Sequence, residues 1–160
     1  MKTAIIYHSR YGVCKQYAIW ISEQKKADIF NIDHINLDVM QDYDNFIILT
    51  GVLYNRITIL SKLKKYKMQF ENKNVKFILC SIDDTLDKFT FPLQAFFKNS
   101  LLQLGTIPGY LSLDTLSKWD NIQLLVTKYL NPKSSFLSNL KEMQCPKRSN
   151  LDSLLTQLDK

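Results

Sequence analysis

"AIIYHSRYGVCKQYAIWI", residues 4–21, decides the fold. Ala4-Ile5-Ile6-Tyr7 is a continuous apolar run of the kind a buried strand needs, and Val13, Tyr17, Trp20 and Ile21 recur at helical spacing. Between the two lies a short polar loop in which Gly12 marks the turn. The pattern predicts a first strand over residues 2–8 and a helix over 13–26.

The same alternation continues along the chain. "ADIFNI" (27–32) reads as a second strand, and "FIILTG" (46–51) and "VKFILCSI" (75–82) are nearly unbroken apolar runs, as expected for central parallel strands covered on both faces. Between those two runs, Ile59, Leu60, Leu63 and Tyr66 form one helical stripe; after them Leu93, Phe96, Phe97, Leu101 and Leu104 form another. "TIPGYLSL" (106–113) supplies a fifth strand, its first half demoted to an edge or loop by Pro108 and Gly109. Leu116, Trp119, Ile122, Val126 and Tyr129 give a further helix. The chain closes with Leu151, Leu154, Leu155 and Leu158 on a helix that Ser149 or Asn150 would cap.

Alternating strands and helices joined by short connections imply an α/β fold, a doubly wound five-stranded parallel sheet with helices on both faces. At 160 residues with 46% hydrophobic content, the chain suits one domain over 1–160, with a core of about 1–130 and a helical C-terminal extension over about 131–160. The apolar stretch near the start is too short for a signal peptide, and no run approaches the roughly 18 apolar residues of a membrane span. Cys14, Cys80 and Cys145 are widely spaced, and His8 and His34 belong to no metal motif, which argues against a disulfide framework, a zinc site and metal catalysis. A cytoplasmic setting is expected.

In doubly wound sheets, ligands bind beyond the carboxyl ends of the strands, where the strand order reverses. Three loops meet that edge. The first, "HSRYGVC" (8–14), opens onto a helix N-terminus, whose unpaired N–H groups and positive dipole end suit a phosphate. Ser9 adds a hydroxyl and Arg10 a forked positive charge that fits an oxyanion. Neither G-x-x-x-x-G-K-[ST] nor G-x-G-x-x-G occurs, so a monophosphate is favoured over a nucleoside triphosphate or a dinucleotide. The second loop, "TGVLYNR" (50–56), offers Tyr54 to stack on a flat ring, and the third, "CSIDDT" (80–85), presents Ser81, Asp83 and Asp84. A phosphate on the first loop and a ring between the other two is the layout of a flavin mononucleotide (FMN) site.

The residues that carry this layout also carry a resemblance. The segments Y-H-S-R-Y-G-V-C, T-G-V-L-Y and C-S-I-D-D resemble the phosphate loop and the two ring-flanking loops of the flavodoxin-like family, over roughly residues 1–130. Within it, Ser9-Arg10-x-Gly12 and "GTIPGYLSLDTLSKWD" (105–120) look most like the branch containing menaquinone-dependent protoporphyrinogen oxidase. The resemblance implies noncovalently bound FMN, contacted by Ser9, Arg10, Tyr11, Gly12, Val13, Cys14, Thr50, Gly51, Leu53, Tyr54, Ser81 and Asp83. The chain departs from the family pattern at Cys14, where Thr is usual, and in a third loop without its covering aromatic, Phe89 being the nearest.

Three functions follow. The first is FMN-dependent electron transfer or oxidoreduction. The second is oxidation of a porphyrinogen-like substrate with a quinone acceptor at a membrane surface, and the third is a flavodoxin-fold interaction domain that has lost its flavin. A net charge of +6, drawn mainly from the lysines of residues 62–76, favours an acidic partner, meaning an acidic protein, an anionic lipid or nucleic acid. Taken with the flavin layout, a redox partner protein or a quinone, acidic or at a membrane surface, is expected, and no nucleic acid. The bland reading of those lysines is a solvated helix face. That of Cys14 is a small residue filling a Thr-sized space, and that of His8 is simple packing.

Overall fold

The computed structural model describes residues 1–53, 56–81, 86–98, 100–109, 117–120, 122, 126, 129 and 146–158, with backbone alone at 37, 53, 157 and 158. Strands β1 (Thr3–His8), β2 (Asp28–Asn31), β3 (Asn45–Leu53), β5 (Asn74–Ser81) and β6 (Leu101–Pro108) form a parallel sheet in the order β2-β1-β3-β5-β6. A two-residue strand, β4 (Arg56–Ile57), turns back antiparallel on the end of β3. This hairpin adds a sixth strand to the five that the pattern predicts.

The central strands are apolar on both faces because both faces are covered. Phe46 and Ile48 of β3, with Val75, Phe77 and Leu79 of β5, enter one core cluster; Ile47 and Leu49, with Ile78 and Cys80, enter the other. Helix α1 (Val13–Lys25) covers the second cluster with Val13, Cys14, Tyr17, Ala18 and Ile21. Helices α2 (Leu37–Met40), α3 (Leu60–Leu63) and α4 (Leu86–Phe96), and a 3₁₀ turn over Lys64–Phe70, lie along the chain between the later strands. Met40, Leu63, Tyr66, Phe70 and Leu93 carry them into the first cluster.

Several elements differ from the sequence reading. Leu101 and Leu104 belong to β6 and not to the preceding helix, which ends at Phe96. β6 is therefore the fifth parallel strand, but it begins before the predicted 106–113 and ends at Pro108; residues 110–113 of that prediction lie outside the described residues. Its backbone completes the ladder along β5 from Asn74 to Ser81, a demand that helical spacing of leucines cannot reveal. The stripe at 59–66 is split between α3 and a 3₁₀ turn, although Ile59, Leu63 and Tyr66 are buried as the spacing implies.

The C-terminal helix (Arg148–Leu158) starts one residue before Ser149, so Ser149 and Asn150 lie in its first turn and do not cap it. It presses Leu151, Leu154 and Leu155 into the cluster beneath α1. Trp119, Ile122, Val126 and Tyr129 are helical, but Trp119 and Tyr129 are largely exposed and Ile122 and Val126 are about half exposed. Leu116 lies outside the described residues. No described helix is long and apolar enough to cross a membrane.

Candidate functional site

The strand order places the loops after β1 and β3 side by side where the chain changes direction: β2 lies to one side of β1, while β3, β5 and β6 follow on the other. His8 pairs with Thr50 and Gly51 with Cys80, so the carboxyl ends of β1, β3 and β5 meet along one edge.

At that edge, Gly12 is the N-cap of α1 with φ of 84°, a left-handed conformation that a side chain would strain. No side chain caps the helix, and its first turn holds no acidic residue. The first-turn amides, with the positive end of the helix dipole, therefore face the loop as donors for an anion. Cys14, in that first turn, is buried and sends its sulfur inward, 3.9 Å from where a β-carbon on Gly51 would stand. Cys80 lies in the same cluster, both thiols are free, and burial with the nearby Cys14 thiol pushes the Cys80 thiol well above its usual range. Cys14 fills core space, as its bland reading holds.

Arg10 has a protein partner that the sequence around it does not announce. Its guanidinium is bound to the carboxylate of Asp120 at 2.8 Å, although Arg10 itself is 46% exposed. The hydroxyl of Tyr11 donates to the same carboxylate, and burial first, then this hydrogen bond, raises the Tyr11 phenol above its usual pKa. The Ser117 hydroxyl donates to Asp120 at 2.7 Å and accepts from the Asp120 N–H at 3.2 Å. The second of these bonds makes Ser117 the N-cap of the helix that holds Asp120, a Ser three residues before an Asp that "SKWD" (117–120) spells out. Asp120 is 1% exposed.

A second network surrounds His8 at the end of β1. Lys62 donates to Nε2 of His8 at 2.9 Å and to Asp33 at 2.6 Å. Nδ1 of His8, which must then carry the proton, donates to the Thr58 hydroxyl at 2.9 Å. Thr58 and Thr50 share a hydrogen bond at 3.2 Å, and Thr58 also donates to the Gly51 carbonyl. Lys62 thus leaves the solvated lysine face, while Lys64, Lys65 and Lys67 remain exposed on it. His8 is more than packed: burial first, then the Lys62 charge, lowers its pKa, with Asp33 opposing.

Of the residues expected at the site, Ser9, Arg10, Tyr11, Gly12, Val13, Cys14, Thr50, Gly51 and Ser81 are at or beside this edge. Leu53 ends β3 beside them, and Tyr54 and Asp83 lie outside the described residues. Gly109 joins the end of β6 to the edge, its N–H bonded to the Ser81 carbonyl at 2.7 Å. A β-carbon there would stand 3.1 Å from the Ser81 backbone, a tight approach that glycine accommodates.

A family model described as a flavodoxin domain matches residues 4–130. Among solved structures, a two-electron reduced Megasphaera elsdenii flavodoxin is 11% identical with a TM-score of 0.58, covering 71% of this chain and 90% of its own. A flavodoxin from the domain Archaea is 14% identical with a TM-score of 0.55, covering 71% and 88%. A Lactobacillus acidophilus flavoprotein, solved in complex with FMN, is 16% identical with a TM-score of 0.51, covering 66% and 91%. No curated protein sequence matches the chain.

Proposed function

The chain belongs to the flavodoxin-domain family, and on that premise we propose that it binds FMN noncovalently and serves in electron transfer or oxidoreduction. The observation that carries the reading is the loop at Gly12, which turns the end of β1 into the uncapped N-terminus of α1 beside β3. That place is where a doubly wound sheet of this order receives a flavin phosphate. Ser9 and the amides of residues 11–14 would hold the phosphate; Thr50, Gly51, Leu53, Tyr54, Ser81 and Asp83 would border the ribityl chain and ring. When bound, FMN supplies the hydride and electron chemistry. The protein's part is to orient it and to set the charge around it.

The residues present fit the group. The first-turn amides of α1 meet no acidic residue of that turn and no capping side chain. The replacement of Thr by Cys14 removes a hydroxyl and leaves the backbone donors. Exposed Lys64, Lys65 and Lys67 support a partner that is acidic or lies on an anionic membrane surface. The narrower reading, porphyrinogen oxidation with a quinone acceptor, rests on the sequence resemblance at Ser9-Arg10-x-Gly12 and 105–120 alone.

The test is to purify the protein without added cofactor, record its absorbance between about 300 and 550 nm, and identify any flavin released on denaturation. Released FMN supports the reading. A colourless protein that also fails to take up FMN overturns it in favour of a cofactor-free interaction domain.

A further inference from the structure

We infer that Asp120 sets the phosphate preference of the site by competing with the ligand phosphate for Arg10, an inference that rests on the FMN reading above. Asp120 comes from the helix that follows β6, far along the chain from the loop it touches. Its carboxylate is 1% exposed and gathers the Arg10 guanidinium at 2.8 Å, the Tyr11 hydroxyl and the Ser117 hydroxyl at 2.7 Å. Arg10 and Tyr11 are the two residues immediately before Gly12. Both long side chains of the anion loop are therefore drawn onto one carboxylate.

The charge balance follows. Without Asp120, the loop would present a guanidinium beside the positive end of α1. With it, that charge is neutralised, and an incoming phosphate of nearly two negative charges meets a buried carboxylate on the same arginine. A guanidinium has donors to spare and can touch both anions, but the repulsion between them remains. Asp120 thereby reduces what the phosphate adds to binding and shifts recognition toward the rest of the flavin. A mere brace for the phosphate loop would act in the opposite direction: its loss would weaken FMN and phosphate and leave riboflavin, which has no phosphate, unchanged.

The test uses the full chain and Asp120→Asn, which keeps the shape and removes the charge. FMN and riboflavin are titrated by quenching of flavin fluorescence, and inorganic phosphate by NMR shifts of the Gly12 and Val13 amides. The expected result is about fivefold tighter binding of FMN and of phosphate, as removal of one partly screened charge implies, with riboflavin unchanged. Adding Arg10→Ala to Asp120→Asn should abolish the gain. Unchanged or weaker binding of FMN and phosphate in Asp120→Asn overturns the inference, as does an equal change for both flavins. If neither protein binds a flavin, the FMN reading fails and the phosphate titration alone decides this one. Should Asp120→Asn not fold, the wild-type protein still decides. Saturating phosphate should shift the side-chain signals of Arg10 Nε and the Asp120 carboxyl carbon together, and silence at both overturns the proposal.

Discussion

Lys62 donates to Nε2 of His8 at 2.9 Å, so in the folded protein the imidazole is held neutral with its proton on Nδ1. Burial and the Lys62 charge, and to a lesser degree Arg10, lower the His8 pKa from 6.5, against the opposing charge of Asp33. The unfolded chain therefore takes up the His8 proton more readily than the fold does. Stability should be unaffected by His8 well above pH 6.5 and decline as pH falls through 6.5 toward the depressed value. Urea midpoints measured from pH 8 to pH 5 should show this decline in the wild type and a flatter profile in His8→Gln. Parallel profiles would remove His8 from the account.

Gly12 and Gly51 sit on opposite sides of the site and should respond oppositely to alanine. At Gly12 nothing lies within 4 Å of the added β-carbon, so the cost comes from φ of 84° alone. A loss of about 1 kcal/mol is expected from the left-handed backbone, with weaker FMN binding. At Gly51 the new carbon meets only the Cys14 sulfur at 3.9 Å, an ordinary contact. Gly51→Ala should be neutral or gain about 0.5 kcal/mol, since glycine weakens a strand interior. Equal losses at the two positions in chemical denaturation would show that the cost at Gly12 is not conformational.

The C-terminal helix behaves as part of the core. Leu151 is fully buried beside Tyr17 and Ile78 in the cluster beneath α1. Leu151→Ala should cost about 2–5 kcal/mol, as the removal of a buried leucine usually does. A loss below about 0.5 kcal/mol, the range of surface substitutions, would mean that this helix is only loosely applied to the sheet.

Cys14 and Cys80 are free thiols without access to solvent, and burial first of all raises the Cys80 pKa. Since the thiolate is the reactive form, neither residue should be alkylated at neutral pH in the folded protein, and both should be in denaturant. Mass mapping of iodoacetamide-treated peptides gives the result directly. Rapid native labelling of Cys14 would instead make it a reactive residue of the site.

Local spacing was enough for the strands and helices that bury a continuous face. The apolar runs of β3 and β5 and the stripe of α1 each declare their surroundings within one element, because burial on two faces or one leaves a short-range pattern. The loop from β1 to α1 was legible for the same reason: a polar turn with glycine at the left-handed position joins two such patterns. What local spacing misread was Leu101 and Leu104, whose strand is imposed by the open hydrogen-bonding edge of β5.

Polar partnerships were the other part that tertiary structure alone decided. The sequence presents Arg10 and Lys62 as available cations, one for phosphate and one for solvent. The fold brings Asp120 to the first and His8 with Asp33 to the second. Charge acts through space and carries no period along the chain. Hydrophobic periodicity is thus written into the sequence, whereas the pairing of charges follows from which strand ends and helix starts the sheet order places together.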